Sequence, residues 1–139
     1  MYNKGLKERY DLINSRYIQT YRTYKKEIEN TQDIKSIMDT RDSVTFALSE
    51  LSDLYMDIKE EWADKYIEYK RSSNSDFINF VLRGEKTVTL AKAKSEEINM
   101  DKQAERVFAD AFDESVKMKI SAIKKTIDVI GQRIANLKE

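Results

Sequence analysis

The C-terminal part of the chain carries an apolar pattern that limits the fold more than any other sequence feature. Its members, at alternating steps of three and four residues, are Ile120, Ile123, Ile127, Ile130, Ile134 and Leu137. Four apolar residues precede them at steps of four: Ala104, Phe108, Phe112 and Val116. This spacing places the side chains on one helix face and is typical of coiled coils. Because the 139 residues contain no Pro, the pattern is unbroken and predicts a helix from about residue 90 to residue 137.

Two other apolar stripes predict helices from about residue 6 to 29 and from about residue 32 to 71. The residues of the N-terminal stripe are Leu6, Tyr10, Ile13, Tyr17, Tyr24 and Ile28. Those of the central stripe are Ile34, Ile37, Val44, Leu48, Leu51, Tyr55, Ile58, Trp62 and Tyr69. Forty helical residues span about 60 Å, whereas a compact globule of this chain length is about 35–40 Å across. We therefore expect an elongated molecule, either a helical hairpin or a seam that other subunits complete.

The tyrosines of the N-terminal stripe allow two interpretations. Tyr10, Tyr17 and Tyr24 are spaced seven residues apart and have Arg and Lys neighbours, so they could form a stacking platform for nucleic-acid bases. The same spacing is typical of a half-buried seam between helices, and we favour the seam. Beyond this helix, Asn30 and Thr31 offer a cap for the next one, with Asp33 in its first turn. Either the chain turns there or the helix simply continues.

A polar cluster, Ser72-Ser73-Asn74-Ser75, predicts a short central break in the helical structure. A short helix from residue 76 to 83 should follow and end at Gly84 in a left-handed conformation. Residues 85–90 fit either a short strand or the first turn of the last helix, and we favour the helix. The sequence thus predicts one all-α domain over residues 1–139, an elongated helical hairpin or coiled-coil assembly.

The Ile-rich seam also predicts self-association. In parallel coiled coils, Ile at both core positions of the heptad favours three or more strands over two. We therefore expect a homo-oligomer of three or more subunits. The predicted interface consists of Phe108, Phe112, Val116, Ile120, Ile123, Ile127, Ile130, Ile134 and Leu137.

The composition gives catalysis no support. The chain has no His and no Cys, which removes the commonest general base and covalent nucleophile. Its three glycines cannot form a phosphate-binding loop. Asp53, Asp57 and Glu61 share a helix face and could hold a divalent ion, but a solvated acidic face is the favoured interpretation. We expect no enzyme activity, no cofactor and no metal, and an intracellular protein with no membrane partner.

A net charge of zero conceals strong segregation along the chain. Residues 1–26 carry a net charge of +5, residues 27–64 of −8, residues 65–94 of +4, residues 95–114 of −5 and residues 115–139 of +4. Opposite blocks could pair between helices or subunits and set their register. Alternatively, a basic block could stay free to contact phosphate. Both can hold at once.

The basic block at 65–94 combines seven Lys and Arg with four aromatic residues, a composition suited to single-stranded nucleic acid. The predicted binding residues are Lys65, Tyr66, Tyr69, Lys70, Arg71, Arg83, Lys86, Lys92 and Lys94. Lys70 and Arg71 would also stabilise the C-terminal end of a helix dipole without any ligand. That alternative leaves Arg83, Lys86, Lys92 and Lys94 unexplained.

The order of these segments resembles the phage recombination mediators of the UvsY type. The segments that carry the resemblance are KYIEYKR (65–71), SSNSD (72–76), EKTVTLAKAK (85–94), the aromatics Phe108 and Phe112, and IKKTIDVIGQRI (123–134). The resemblance implies an all-helical oligomer that forms a ring. It implies a cytoplasmic location, which is the host cytoplasm if the protein is phage-encoded. It also implies binding of single-stranded DNA and loading of a recombinase against a single-strand-binding protein.

By the same resemblance, Lys65, Lys70 and Arg71 would contact DNA, beside Tyr66 and Tyr69. A rival hypothesis is a coiled-coil scaffold or adaptor protein that binds only protein partners, in which the charge blocks only set register.

Overall fold

The computed structural model of the protein describes residues 3–84 and 88–138, and within them all regular structure is helical. Helix α1 spans Lys4–Thr23 and continues into a π-helical turn, Tyr24–Ile28. Helix α2 spans Ile34–Leu82, α3 spans Val88–Ile98 and α4 spans Met100–Lys138. The prediction of an all-α protein is confirmed.

Contacts divide the chain into two compact units, and α2 and α4 contribute to both. The bundle unit comprises Lys4–Asp57 and Glu114–Glu139. The hairpin unit comprises Met1–Asn3 and Ile58–Asp113. The single domain over residues 1–139 stays a prediction.

The bundle unit buries apolar side chains from three helices at heptad-like spacing. Helix α1 and the turn after it contribute Leu6, Ile13, Tyr17 and Tyr24; α2 contributes Ile37, Val44, Ala47, Leu51 and Leu54; α4 contributes Val116, Ile123, Ile130 and Ile134. Two ion pairs, Arg9–Asp57 at 3.0 Å and Arg16–Glu50 at 2.7 Å, show that α1 and α2 run antiparallel. Burial of a large apolar side chain contributes about 1.5–3 kcal/mol, so these stripes hold the unit together.

This packing accounts for much of the Ile-rich seam within one chain. Phe112, Val116, Ile123, Ile130 and Ile134 are buried. Of the remaining residues predicted for the interface, Ile120, Ile127 and Leu137 are half-buried and Phe108 is exposed. In the bundle unit, α1 and α2 supply the two additional strands that such a seam favours. The homo-oligomer stays a prediction, and the Ile spacing does not require it.

The tyrosine stripe is part of the core, as the favoured interpretation predicted. Tyr17 and Tyr24 are buried and Tyr10 is half-buried. The Tyr17 hydroxyl lies 2.8 Å from the Thr126 hydroxyl oxygen of α4. Burial, reinforced by the neighbouring Asp11 carboxylate, raises the pKa of Tyr10. Buried rings cannot serve as a platform for bases.

The N-cap of α2 is Asp33 and not Asn30 or Thr31, although the Thr31 hydroxyl accepts a hydrogen bond from the Asp33 N–H at 3.3 Å just before the helix. The Asp33 carboxylate accepts hydrogen bonds from the Ser36 hydroxyl at 2.6 Å and the Lys35 backbone N–H at 3.2 Å. The Lys35 N–H lies in the first turn of α2, where backbone N–H groups have no partner inside the helix, so the Asp33 carboxylate supplies one. These hydrogen bonds, the one from Ser36 most of all, lower the pKa of Asp33.

The predicted break at Ser72–Ser75 is wrong, because α2 continues through this cluster to Leu82. Across the helix pair, the Ser95 hydroxyl donates to the Ser73 carbonyl and the Lys102 ammonium donates to the Ser72 hydroxyl at 3.0 Å. These partners let polar side chains lie inside a helix–helix contact. The chain turns instead at Gly84, where φ is +65°, as predicted for that residue.

The predicted helix from residue 90 to 137 is present as two helices, separated at Asn99. The Asn99 N–H still donates to the Ser95 carbonyl, and the Gln103 N–H donates to the Asn99 carbonyl. Of the ambiguous segment 85–90, Val88 to Leu90 are helical, while residues 85–87 lie outside the described residues. None of the described helices has the length and apolar character that a bilayer crossing requires.

Candidate nucleic-acid interface

The residues predicted to bind nucleic acid lie on the hairpin unit, in which α2 runs antiparallel to α3 and the start of α4. Trp62 Nε1 donates to Asp110 Oδ1 at 2.9 Å near one end. Asn99 Nδ2 donates to Asp76 Oδ2 at 2.7 Å further along. Later positions on α2 thus contact earlier positions on the returning helices α3 and α4, as in an antiparallel pair. Gly84 lies at the end where α2 turns back, and we call residues 70–84 and 88–94 the hairpin tip.

Lys65 is engaged within the chain. Its ammonium lies 3.0 Å from the Glu105 carboxylate and 3.8 Å from that of Glu68. Its side chain is only 18% exposed. A phosphate would therefore have to displace Glu105, so Lys65 contributes less to a nucleic-acid surface than the sequence predicts.

The two tyrosines have cations over their rings. Tyr69 is 8% exposed and Tyr66 is 39% exposed. The Arg106 guanidinium lies 5.4 Å from the Tyr69 ring centroid and 5.9 Å from that of Tyr66. Lys70 lies 5.8 and 5.9 Å from the Tyr66 and Tyr69 centroids. Cation–π contacts of this kind occupy the faces on which a base would stack, and only Tyr66 retains substantial exposure.

Four of the basic residues predicted to bind nucleic acid have exposed side chains on the hairpin tip: Lys70, Arg71, Arg83 and Lys92. Lys94 is half-buried, with its ammonium 4.8 Å from the Phe80 ring centroid. Lys86 lies outside the described residues. Among the described residues, four of the predicted cations are thus exposed, with Lys94 nearby.

A groove of about 390 Å³ beside Arg71 is lined by one basic residue that the sequence interpretation missed. Lys102 lines it together with Arg71, Ser72, Asp64 and Glu68. Lys102 was overlooked because it belongs to an acidic block of the sequence. The available signal was its spacing of four residues from Arg106, which places both bases on the helix face that meets α2.

A polar cluster beneath the tip fixes this geometry. Ser95 and Asn99 are buried, and Asn99 Nδ2 donates both to Asp76 and to the Ser95 carbonyl at 2.8 Å. Because a buried polar group without a partner is costly, this set of bonds disfavours other registers of the hairpin.

Metal and acid–base chemistry receive no support from the described geometry. Among residues 3–84 and 88–138, no three acidic side chains lie close enough together to hold a metal ion. Of the three acids considered on sequence, Asp57 pairs with Arg9 at 3.0 Å. The candidate site is thus a helical surface with a basic tip.

Comparisons of this chain with protein-family models, with curated proteins and with solved structures find no match. The resemblance to UvsY-type mediators accordingly stays an expectation drawn from the sequence.

Proposed function

We propose that this chain is a non-enzymatic helical protein that binds single-stranded DNA through its hairpin tip. One observation carries the proposal. Among its described residues, the tip contains five basic side chains, four of them exposed, and one acid, Asp76, which is engaged by Asn99. Asp64 and Glu68 lie outside the tip, in the groove beside Arg71. A cation-rich end with few counter-charges attracts phosphate.

The mechanism consists of phosphate contacts made by Lys70, Arg71, Arg83 and Lys92. On single strands, each neutralised phosphate contributes about −0.7 to the slope of log affinity against log salt. Four contacts therefore give a slope of about −2.8, or roughly a 50-fold loss of affinity for a fourfold rise in salt. One chain binds weakly, and several chains on one strand would bind tightly through multivalency.

The biological role follows from the resemblance: a recombination mediator that helps load a recombinase onto DNA covered by a single-strand-binding protein. The all-α architecture agrees with that role. A strand-exchange assay with a recombinase and a single-strand-binding protein tests it separately from DNA binding.

The DNA-binding proposal is tested by fluorescence anisotropy with a labelled single-stranded oligonucleotide at two salt concentrations. The test variant replaces Lys70, Arg71, Arg83 and Lys92 with Gln, which is a good helix former. The control variant replaces four exposed cations of the bundle unit with Gln: Arg22, Lys26, Lys35 and Lys138.

We expect the tip variant to bind at least about tenfold more weakly than the wild type. The control should bind within about twofold of the wild type, because its substitutions lie in the other unit. If both variants lose the same affinity for DNA, the effect comes from overall charge and not from the tip. A wild-type affinity that does not change with salt concentration would overturn the mechanism.

A second candidate function is an adaptor or scaffold that binds protein partners. The observation that favours it is the set of exposed apolar side chains on the hairpin unit, including Ile67, Ile78, Leu82 and Val107. Exposed apolar patches are typical of interaction sites. No DNA binding at low salt, together with an assembly that fails when these residues are made polar, would favour the adaptor.

A further inference from the structure

Helix α4 carries a second set of apolar residues that the core does not use. In the hairpin unit, Met100, Ala104, Val107 and Ala111 are exposed at steps of four, three and four residues. We call these four residues the first stripe. They line an open groove of about 560 Å³. At helical spacing, these side chains form one continuous apolar face.

A corresponding set lies on the part of α4 that belongs to the bundle unit. Ser115, Met118, Ala122 and Val129 are all exposed, and we call them the second stripe. Val107, Met118 and Val129 recur at intervals of eleven residues. The buried α4 residues instead follow steps of three, four and seven. Because an eleven-residue repeat differs from a heptad, the stripes are a pattern separate from the core.

The charges beside the two stripes are opposite in sign. Near the first stripe, the exposed charged residues are Glu96, Glu97, Asp101 and Asp110. The bases in the same segment are directed elsewhere, Lys102 to the Ser72 hydroxyl and Arg106 onto the Tyr69 ring. Near the second stripe, the exposed charged residues are Glu114, Lys117, Lys124, Lys125 and Asp128, with Glu114 paired to Lys117 at 3.9 Å. The basic residues still outnumber the acids there. An acidic apolar face and a basic apolar face are complementary.

We propose that the first stripe of one chain packs against the second stripe of another copy of this chain, with the two α4 helices antiparallel. In this register, Met100 meets Val129, Val107 meets Ala122 and Ala111 meets Met118. In two of these pairs a large side chain, Val107 or Met118, faces an alanine, which allows close approach of the helices. The acidic segment of one chain lies along the basic segment of the other.

This interface differs from the Ile-rich seam and uses none of the bases assigned to DNA. It would supply the self-association on which multivalent DNA binding depends, but it rests on different residues. Its test is made without DNA, so that failure of either proposal can be recognised independently.

Light scattering coupled to size-exclusion chromatography tests the interface with a matched pair of variants. Met118 and Met56 are each 70% exposed on helices of this protein, but Met56 lies outside both stripes. We expect the full chain to reach at least twice its 16.4 kDa mass with rising concentration. Met118→Glu should raise the dissociation constant at least about tenfold, because it places a charge in an apolar contact. Met56→Glu should leave it unchanged.

Val107→Glu provides a second disruption, from the first stripe, with the same expected loss. A chain that stays at 16.4 kDa at high concentration would overturn the proposal. A Met56→Glu variant as defective as Met118→Glu would also overturn it.

Register is tested by disulfide formation, because the native chain contains no Cys. Chains carrying Ala111→Cys are mixed with chains carrying Met118→Cys and exposed to mild oxidant. We expect the mixed cross-linked dimer to form preferentially over that between Ala111→Cys and Ser43→Cys chains, Ser43 being an exposed α2 position outside the stripes. Equal yields in both mixtures would contradict the antiparallel register.

Discussion

The bundle unit and the hairpin unit share two helices, yet they bury different kinds of side chain. In the bundle unit, three helices surround residues such as Leu51 and Ile130, which are fully buried. In the hairpin unit, Ser95 and Asn99 are buried in polar contacts while Leu82 is 78% exposed. A pair of helices leaves each with an outer face in water, whereas a third helix closes the core. The bundle unit therefore has the larger apolar core, although the hairpin unit also buries Ile58 and Phe80 and the bundle unit leaves Met118 exposed.

The largest expected effect tests whether the bundle unit supplies most of the stability. Ile130→Ala removes buried methyl groups and should lower the free energy of unfolding by about 2–5 kcal/mol. Ile78→Ala, at an exposed position of the hairpin unit, should change it by no more than about 0.5 kcal/mol. Urea unfolding monitored by circular dichroism measures both. Similar losses in the two variants would contradict the comparison.

A smaller effect tests whether polar contacts hold the hairpin unit together. Asn99→Ala removes the donor to Asp76 and the Ser95 carbonyl, and should cost about 1–3 kcal/mol. Asn74→Ala, at an exposed position of α2, is the control and should cost much less. Hydrogen exchange should show the Asn99→Ala loss concentrated in residues 58–113. Faster exchange confined to the bundle unit would count against this assignment.

The smallest effect concerns the cap of α2 in the bundle unit. The lowered pKa of Asp33 means that its carboxylate stabilises the fold above the unfolded-state pKa. This contribution is lost as pH falls through the folded-state pKa. Asp33→Ala should lower the Tm at neutral pH, and Asp33→Asn should lower it less because Asn can also cap a helix.

The pH dependence separates the carboxylate's charge from its capping geometry. The Tm difference between wild type and Asp33→Asn should shrink as pH falls from about 7 to about 2. Asp39→Asn, at an exposed position on the same helix, controls for general charge effects. A difference that stays constant across this range would show that the Asp33 charge does not contribute.

The sequence was most informative where local geometry alone decides structure. The absence of Pro and the heptad spacing indicated the helices and their buried faces, and Gly84 has the left-handed conformation expected at a helix end. These features depend on residues within a few positions of one another. The candidate site was less predictable. The bases at 65–94 were identified, but the partners of Lys65 and Lys94, Glu105 and Phe80 respectively, come from residues distant in sequence.

Only the tertiary structure decided what the polar residues and the seam do. On sequence alone, Ser72 and Ser73 predict a break, because serines in isolation favour turns. They remain helical because Lys102 and Ser95 bond to them across the hairpin. Likewise, the Ile spacing specified a multi-stranded core, but spacing cannot tell whether the other strands come from the same chain. Packing places α1 and α2 there, since one polypeptide can bury its own seam without the entropy cost of association.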